Sequence, residues 1–138
     1  GDDDIIVGTA DFARIDGGGG QDTLVLDGAF DLDLTALAGH VIQGIEEIDM
    51  DNGLANTLAI DFSAVFDIGE AVDRLTGSVN TLVVSGDALD TVNLLGTWDV
   101  RLSQPTEATN AGYTVYDNAD ANASVAIQNA VTTNFTGA

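Results

Sequence analysis

The sequence predicts an all-β protein, folded as a parallel β-solenoid or β-roll of short stacked strands with one short helical segment. Apolar runs of about three to five residues recur along the 138-residue chain, and Gly, Asn or Asp bounds them. Evenly punctuated short strands are typical of solenoids, whose successive coils stack on one another. A hydrophobic content of 45% is enough for one buried core. An antiparallel sandwich is the alternative, but Asp51-Asn52-Gly53 is the only strong hairpin signal.

Ten of these runs have the length and composition of strands. The predicted strands are Leu24–Leu26, Leu32–Leu34, Ile42–Ile45, Ile48–Met50, Leu58–Ile60, Thr81–Val84, Thr91–Leu95, Trp98–Leu102, Tyr113–Tyr116 and Val125–Gln128. Between the fifth and sixth strands, Phe62–Ile68 and Glu70–Leu75 show weak helical spacing, with Ser63 as a candidate cap. One or two helical turns are therefore expected between Phe62 and Leu75.

One stretch, Gly17–Val25, fits the nonapeptide G-G-x-G-x-D-x-U-x at every specified position, U being a large apolar residue. Its glycines allow the backbone to turn with positive φ and bring carbonyl oxygens close together. Asp22 adds a carboxylate, and Ca²⁺ prefers six to eight such hard oxygen ligands. Four consecutive glycines would by themselves be a flexible tether. The exit through Asp22 and Leu24 instead favours a turn followed by a strand.

Two weaker copies of the nonapeptide precede this one. Gly1, Asp3 and Ile5 stand at the G-x-D-x-U positions of a truncated copy, and Val7–Asp16 is a degenerate copy with one extra residue. Asp3 and Asp22 are 19 positions apart, which is two nonapeptides plus that insertion. In a roll with two strands per coil, alternate copies stack on the same edge. The turns at Asp3 and Asp22 are therefore expected to lie one above the other with Ca²⁺ between them.

The middle copy departs from the pattern because Val7 and Ala10 replace two glycines, which puts a site at Asp11 in doubt. The turn at Asp11 would lie on the opposite edge, nearer to Asp27 and Gly28. A second candidate is the stretch Gly86–Asp90, a turn with two carboxylates. That turn could bind a cation, although a solvated turn needs no ligand.

The charge balance is extreme, with 23 acidic residues against three Arg and no Lys, for a net charge of −20. Asp accounts for 19 of these acids and Glu for four. Because Asp favours turns, the skew places the acids in loops. Such a surface repels nucleic acid and anionic membranes and attracts divalent cations. A merely soluble or halophilic surface would use Glu as readily, so the skew favours metal binding.

The chain has no Cys, so an exported form would need a constraint other than disulfides, and calcium would serve. No apolar run approaches the roughly 18 residues of a membrane-spanning helix. The single His40 has no second His and no Cys to complete a zinc site. Carboxylates are so abundant that chance pairs are expected, so no catalytic pair is assigned and a non-catalytic protein is predicted.

Several motifs occur together in an order that resembles a known family. They are Asp22–Gly28, Leu32–Thr35, Ile42–Asp49, Asn56–Leu58, Asn80–Val84, Gly86–Val92 and Gly112–Tyr116. With the nonapeptide, this ordered set resembles the repeats-in-toxin (RTX), or hemolysin-type, calcium-binding proteins exported by type I secretion. It is most similar to the C-terminal module of very large bacterial surface adhesins of that class.

The resemblance implies a calcium-stabilised β-roll that folds outside the cell, at a bacterial surface, and an uncleaved secretion signal near the C-terminus. Asp22 matches the metal-binding Asp of the nonapeptide, and Gly17, Gly19 and Gln21 match its carbonyl ligands. Gly1 and Asp3 match the same positions in the truncated copy. On this basis residues 1–28 are expected to be calcium-binding repeats and residues 29–138 a solenoid module ending in the secretion signal.

Three further expectations follow. The end of the chain, Asn118–Ala138, has no Lys or Arg and is expected to take part in export, although its composition would also suit a capping strand. Asn52, Asn56 and Asn80 are candidates for a stacked amide ladder. A carbohydrate-binding module would need aromatic side chains that stack on sugars, and the candidates are Trp98, Tyr113 and Tyr116. Such rings are more often core residues. That module, with a cell-surface glycan as partner, and a fragment of an RTX polysaccharide-modifying enzyme are the alternative functions.

Overall fold

A computed structural model describes residues 4–7, 15–16, 22–29, 31–33, 42–43, 45–60, 81–101, 112–118 and 124–136. These ranges consist of strands, turns and bends without helix, so the all-β prediction is confirmed for them. The helical segment predicted between Phe62 and Leu75 lies outside the described residues. Within the described ranges no helix is long and apolar enough to cross a membrane.

Thirteen strands are described. They are β1 (Asp4–Val7), β2 (Ile15–Asp16), β3 (Thr23–Leu26), β4 (Asp31–Asp33), β5 (Ile42–Gln43), β6 (Glu47–Asp49), β7 (Thr57–Ile60), β8 (Thr81–Ser85), β9 (Thr91–Leu95), β10 (Trp98–Val100), β11 (Tyr113–Asn118), β12 (Ser124–Gln128) and β13 (Thr132–Thr136). Strands β3 to β12 match the ten predicted runs within one or two residues at each end. Strands β1, β2 and β13 were not among those ten.

The strands form three sheets. The first sheet has seven strands in the order β1-β3-β6-β8-β12-β11-β10, the second has four in the order β13-β9-β7-β4, and the third pairs β2 with β5. Pairing is parallel throughout the second and third sheets and from β1 to β12 in the first. Strands β11 and β10 join the first sheet antiparallel, so that sheet is mixed.

The chain alternates between the two large sheets. Strands β3, β6, β8 and β12 of the first sheet are each followed by a strand of the second sheet, namely β4, β7, β9 and β13. The Asp51-Asn52-Gly53 turn, with Gly53 at φ 75°, therefore leads from one sheet to the other instead of closing a hairpin. The register partners Thr23, Glu47 and Val83 lie 24 and then 36 positions apart. The intervening segments lengthen along the chain, and so the nonapeptide period disappears.

Columns of apolar side chains fill the space between the two large sheets. Leu24, Ile48, Val84 and Ile127 are successive register partners in the first sheet, and all are buried. The matching column of the second sheet is Leu32, Leu58 and Val92. Both columns belong to one hydrophobic cluster. The alternation of buried and half-buried residues along β3 and β7 places every second side chain in this core.

The central strands β8 and β12 are buried on both faces. Val83 and Ala126 point away from the main core, yet they are buried in a second cluster with Val115, packed against Tyr113. A continuous apolar run such as Leu82-Val83-Val84 suits a strand covered on both sides. At strands β8 and β12, therefore, side chains pack against both faces of the first sheet.

Candidate metal site and the buried carboxylates beside it

The metal ligand predicted at Asp22 lies immediately before β3, and its side chain is fully buried. Burial alternates along Asp22, Thr23 and Leu24, which places Asp22 on the same side of the strand as the core residue Leu24. The backbone carbonyl of Asp22 accepts hydrogen bonds from the N–H groups of Glu46 (3.0 Å) and Glu47 (3.2 Å). Asp22 is therefore attached to the start of the next strand in its sheet, β6.

Glu46, which is 2% exposed, completes this attachment with its side chain. Its Oε2 accepts a hydrogen bond of 2.8 Å from the backbone N–H of Asp22. The contact follows from the register, because pairing of Thr23 with Glu47 sets Asp22 beside Glu46. A hydrogen bond from a backbone N–H to a carboxylate is stronger than one between neutral groups. We call these two residues the Asp22–Glu46 pair.

The same arrangement occurs where strands β7 and β9 of the second sheet begin, in the Asn56–Asp90 pair. The Asn56 N–H donates to Asp90 Oδ1 (3.0 Å), and the Asn56 carbonyl accepts from the N–H of Thr91 (2.9 Å). The register again explains the contact, since Thr57 pairs with Thr91. In both pairs the later residue is a buried acid that accepts the backbone N–H of its counterpart one strand earlier.

Asp90 also holds together its own turn. Its Oδ2 accepts from the N–H of Asp87 (2.9 Å), and its N–H donates to the Asp87 carbonyl (3.1 Å). Burial raises the pKa of the Asp90 carboxyl above its usual range, against the opposing effect of the two backbone hydrogen bonds. Gly86 packs so closely that an added Cβ would lie 2.8 Å from Asp90 Oδ2. Asp90 is thus a structural acceptor inside a tightly packed turn.

The two carboxylates predicted as a second cation site, Asp87 and Asp90, do lie in one turn. Both, however, accept backbone hydrogen bonds from that turn. Asp90 Oδ2 accepts from the N–H of Asp87, and Asp87 Oδ1 accepts from the N–H of Leu89 (2.8 Å). The expectation of a solvated turn is wrong for Asp90, which is fully buried. In the other candidate cation site, at Asp11 and Asp27, Asp27 is exposed and Asp11 lies outside the described residues.

Five of the six predicted calcium ligands, Gly1, Asp3, Gly17, Gly19 and Gln21, lie outside the described residues. Asp22 alone is described, and what the structure places beside it is Glu46. Within the described ranges, no group of three or more His, Cys, Asp or Glu side chains is arranged to hold a metal ion. The described part of the chain therefore contributes a single ligand of the predicted set.

Glu46 was not among the sequence-predicted site residues, although a signal for it exists. Four strands start with an acid or amide, then a polar residue, then a buried apolar residue. These starts are Asp22-Thr23-Leu24, Glu46-Glu47-Ile48, Asn56-Thr57-Leu58 and Asp90-Thr91-Val92. Aligning the starts suggests a shared structural role for the first residue. It does not show which starts are neighbours, since that depends on the pairing of the strands.

The asparagines predicted to form an amide ladder bond to backbone carbonyls. Asn52 Nδ2 donates to the carbonyls of Leu26 (2.8 Å) and Gly28 (3.2 Å), and Asn56 Nδ2 donates to that of Gly28 (2.7 Å). These amides thus fasten the segment between β6 and β7 to the one between β3 and β4. Asn80 lies outside the described residues. An amide-to-amide contact is found instead on the second sheet, where Asn134 Nδ2 donates to Asn93 Oδ1 at 3.3 Å.

The three aromatic residues considered for sugar stacking do not form an exposed row. Trp98 is buried at 6% exposure, and its Nε1 donates to the Leu95 carbonyl (2.9 Å). The Tyr113 hydroxyl is 2.5 Å from Ser85 Oγ, and the Tyr116 ring makes an edge contact with Phe135, with centroids 5.5 Å apart. Trp98 is a core residue and the tyrosines are half-buried. His40 lies outside the described residues.

The single arginine in the described ranges, Arg101, ties β10 to β11 and β12. Its Nη2 lies 2.8 Å from Asp117 Oδ1, and its Nε donates to Asp117 Oδ2 at 3.0 Å. Ser124 Oγ donates to the same carboxylate at 2.6 Å. The hydrogen bond from Arg101 is the main reason that the pKa of Asp117 lies below its usual range. The positive charge of Arg101 is therefore paired with the Asp117 carboxylate within the fold.

Comparison of the chain with known proteins finds no matching family model, no matching curated protein and no matching solved structure.

Proposed function

We propose that this protein is a calcium-binding, non-catalytic β-solenoid module of a bacterial surface adhesin exported by type I secretion. The observation that carries the proposal is the pairing of β1 with β3. Asp4 lies opposite Thr23, 19 positions later, in parallel register. That spacing is the one at which the nonapeptide copies that contain Asp3 and Asp22 would stack. Asp3 lies outside the described residues, so the support for stacked copies comes from the register of β1 with β3, the strands that follow Asp3 and Asp22.

The pairing of the other strands supports the solenoid. Four successive strand pairs alternate between the first and second sheets, and each strand lies parallel to its counterpart from the previous pair. A chain that coils in one direction produces this pattern, whereas a sandwich of hairpins pairs consecutive strands antiparallel. The antiparallel strands β10 and β11 add to the last coil of the first sheet, next to β12.

Electrostatics and chain entropy favour a bound cation. The net charge is −20, and the nonapeptide contains four consecutive glycines. Ordering each glycine costs about 1–2 kcal/mol or more of backbone entropy, and mutual repulsion of the acids opposes closure of the turn. A Ca²⁺ held by carboxylates and turn carbonyls offsets both costs. A ligand that binds only the folded chain stabilises it by roughly 2.7 kcal/mol at a hundredfold excess over Kd.

This chemistry suits a protein that folds after export. Calcium sites in extracellular modules have Kd values of about 10⁻⁴–10⁻³ M; a site of about 10⁻⁴ M or tighter is filled by calcium outside the cell, at about millimolar, and left empty in the cytosol. The nonapeptide segment would then stay loose before export and become ordered at the cell surface. The partners are calcium and the type I secretion machinery. The buried Trp98 gives no support to a glycan as a further partner.

Calcium titration followed by far-UV circular dichroism tests the proposal. Added Ca²⁺ is expected to increase the strand signal and the melting temperature, and Asp22→Ala is expected to weaken calcium binding. The matched control is Asp51→Ala, which removes an exposed carboxylate between β6 and β7. Hydrogen exchange should show loss of protection near β1 and β3 in Asp22→Ala, with β8 still protected. Equal melting temperatures with Ca²⁺, with Mg²⁺ and without metal would contradict a calcium site.

The export role of the chain end needs a separate test, because Thr132–Thr136 is strand β13, paired in parallel with β9. Deletion of residues 132–138 from the exported protein is expected to abolish type I secretion without altering synthesis. The same deletion also removes a strand. Leu58→Ala, which opens the core at a fully buried position, is therefore the control and should be exported normally. Normal export of the deletion would refute a secretion signal at this end.

A further inference from the structure

We propose that strand β13 is an association edge, at which a second copy of this chain adds its own β13 in antiparallel orientation. Strand β13 stands last in the second sheet, and within the described residues no strand pairs with its outer edge. Thr132 and Asn134 are exposed. Phe135 pairs in register with the core residue Leu94, yet it is 52% exposed. An uncovered strand edge of this kind is a template for pairing with another chain.

The edges of the two large sheets differ in charge. The edge strands are β1 and β10 in the first sheet and β4 and β13 in the second. Three of them carry acids, namely Asp4 in β1, Asp99 in β10, and Asp31 and Asp33 in β4. Strand β13 carries no charged residue. Charged side chains on an edge oppose its pairing with another edge, so β13 is the one of these edges that lacks such protection.

The overall charge selects a second copy as the partner. Two chains that each carry a net charge of −20 repel each other, so they can meet only where neither contributes charge. Residues 121–138, which include β12 and β13, contain no Asp, Glu, Lys or Arg. A basic partner would instead be attracted to the acidic surface and would find no opposite charge on β13. An uncharged edge suits another uncharged edge, and each copy offers one.

The backbone of β13 sets the register of the pairing. Thr132 donates its N–H to the Asp90 carbonyl at 3.0 Å, so Thr132 directs its backbone groups toward β9. Directions alternate along a strand, so Asn134 also faces β9, whereas Thr133 and Phe135 face the outer edge. Placing Thr133 of each copy opposite Phe135 of the other makes two hydrogen-bonded pairs, each of which exchanges both bonds. The two copies of Asn134 then face each other on the two-fold axis.

The side chains suit this register. Asn134 Nδ2 donates to Asn93 Oδ1 at 3.3 Å, and Asn134 of the second copy would extend this amide contact across the axis. On the other face, Phe135 would cover Thr133 of the second copy, and an aromatic ring opposite a β-branched residue is a favourable cross-strand pair. A strand of five residues buries less than the roughly 1,200 Å² of a standard interface, so the dimer is expected to be weak and reversible.

Disulfide cross-linking tests the register, because the chain has no Cys of its own. Asn134→Cys would set two thiols opposite each other with Cα atoms about 4.5 Å apart, within the disulfide range of about 4.4–6.8 Å. Thr132→Cys is the control, since its two copies would lie about 13 Å apart along the strands. With oxidised glutathione, Asn134→Cys should form a covalent dimer at least about tenfold faster than Thr132→Cys. Equal rates would overturn the register.

Sedimentation equilibrium of the full chain at constant CaCl₂ measures the dimer Kd. Asn134→Asp sets two like charges opposite each other and should weaken the dimer by about tenfold or more. Asn129→Asp makes the same change at an exposed residue in the turn before β13 and should stay within about threefold of wild type, since solvent screens it. Equal losses in the two variants would show that added charge alone weakens association, and would overturn pairing at β13.

A second pair of variants tests the apolar contact. Phe135→Ala should weaken the dimer by about fivefold or more, because it removes the ring that covers Thr133 of the second copy. Leu54→Ala removes another exposed apolar side chain, 46% exposed and away from β13, and should leave the Kd unchanged. Equal weakening by both variants would indicate association through scattered apolar residues and would contradict an interface at β13.

Salt separates strand pairing from calcium bridges between acids. Added NaCl screens the repulsion between the two acidic copies and should tighten the dimer. Weaker association in high salt, or tighter association of Asn134→Asp, would show that calcium links the copies, and would overturn the proposal. A wild-type chain that stays monomeric at about 0.5 mM would overturn it as well, because the Kd would then exceed the millimolar range. The association does not depend on the calcium site, so absence of calcium binding would refute the proposed function alone.

Discussion

The Asp22–Glu46 and Asn56–Asp90 pairs share one hydrogen-bond geometry but differ in how their turns are held. In the second pair, Asp90 also accepts the N–H of Asp87, and Gly86 packs against its carboxylate. Contacts within the protein therefore hold that turn. In the first pair, the residues that precede Asp22 in the sequence are Gly17–Gly20 and Gln21, which lie outside the described part of the chain. An acid at a strand start is therefore not by itself a sign of metal binding, and the sequence difference between the two pairs is the glycine tract before Asp22.

The comparison also explains why so many acids are tolerated near the core. Where parallel strands begin, backbone N–H groups point at the neighbouring strand and need acceptors. Buried Glu46 and Asp90 supply them. Burying a carboxylate costs free energy unless hydrogen bonds compensate, and both residues are compensated by backbone donors. Part of the acidic composition thus stabilises the fold, independently of any cation.

The largest expected effect on the free energy of unfolding comes from breaking the Asn56–Asp90 pair. Asp90→Ala removes the acceptor of two N–H groups, of which that of Asn56 is buried. Leaving a buried donor unsatisfied costs about 1–3 kcal/mol, so we expect a loss of about 3 kcal/mol in the free energy of unfolding. Urea denaturation without calcium measures it. Asp87→Ala in the same turn is the control and should cost less than about 1 kcal/mol, since it frees only the exposed Leu89 amide.

A smaller effect is expected when the packing of that turn is disturbed. In Gly86→Ala the new Cβ would lie 2.8 Å from Asp90 Oδ2 and 2.8 Å from Val131 Cγ2. Overpacking of this kind costs about 1–3 kcal/mol. The double variant with Val131→Ala removes one of the two clashes, so the two losses should combine to less than their sum. Strictly additive losses in urea denaturation would show that the close contact with Val131 does not limit the turn.

The pH dependence of stability should differ in sign between Asp90 and Asp117. The native pKa of Asp90 is raised, so its contribution is fully present below the unfolded value of about 4 and is lost as pH rises through the native pKa. The native pKa of Asp117 is lowered by Arg101, so its contribution is present above about pH 4 and is lost as pH falls through the native pKa.

Measuring the free energy of unfolding from pH 3 to 7 for wild type, Asp90→Asn and Asp117→Asn checks these signs. Relative to wild type, Asp90→Asn should become more favourable as pH rises, and Asp117→Asn should become less favourable. Two difference curves with the same slope would contradict the opposite environments of the two carboxyls.

The smallest effect distinguishes the two kinds of asparagine. Asn52→Ala removes two hydrogen bonds to backbone carbonyls and one from the Leu54 N–H, for an expected loss of about 1 kcal/mol. Asn134→Ala removes one long, exposed amide contact and should change stability by less than about 0.5 kcal/mol. Thermal melting of both variants measures the difference. A larger loss for Asn134→Ala would mean that stacked amides outweigh the bonds between successive segments.

Local pattern was sufficient to locate most strands, because a strand that is half-buried must alternate apolar and polar residues and must stop at turn residues. Leu24, Leu58 and Val92 are central to runs that satisfy this rule, and all three lie in the core. The all-β class follows from the same rule. The nonapeptide predicts Asp22 as a metal ligand from local spacing alone, since it places glycines and an acid at fixed positions, and that assignment stays a prediction.

Contacts between distant segments were decided only by the tertiary structure. Strand β13 contains Thr132, Asn134 and Phe135 without an apolar run, and it is a strand because β9 offers it a paired edge. Glu46 and Asp90 reach backbone groups 24 and 34 positions earlier. The lengths of the intervening segments vary, so no period in the sequence reports which strand starts become neighbours. Register between strands is a property of the assembled sheet, and the capping carboxylates depend on it.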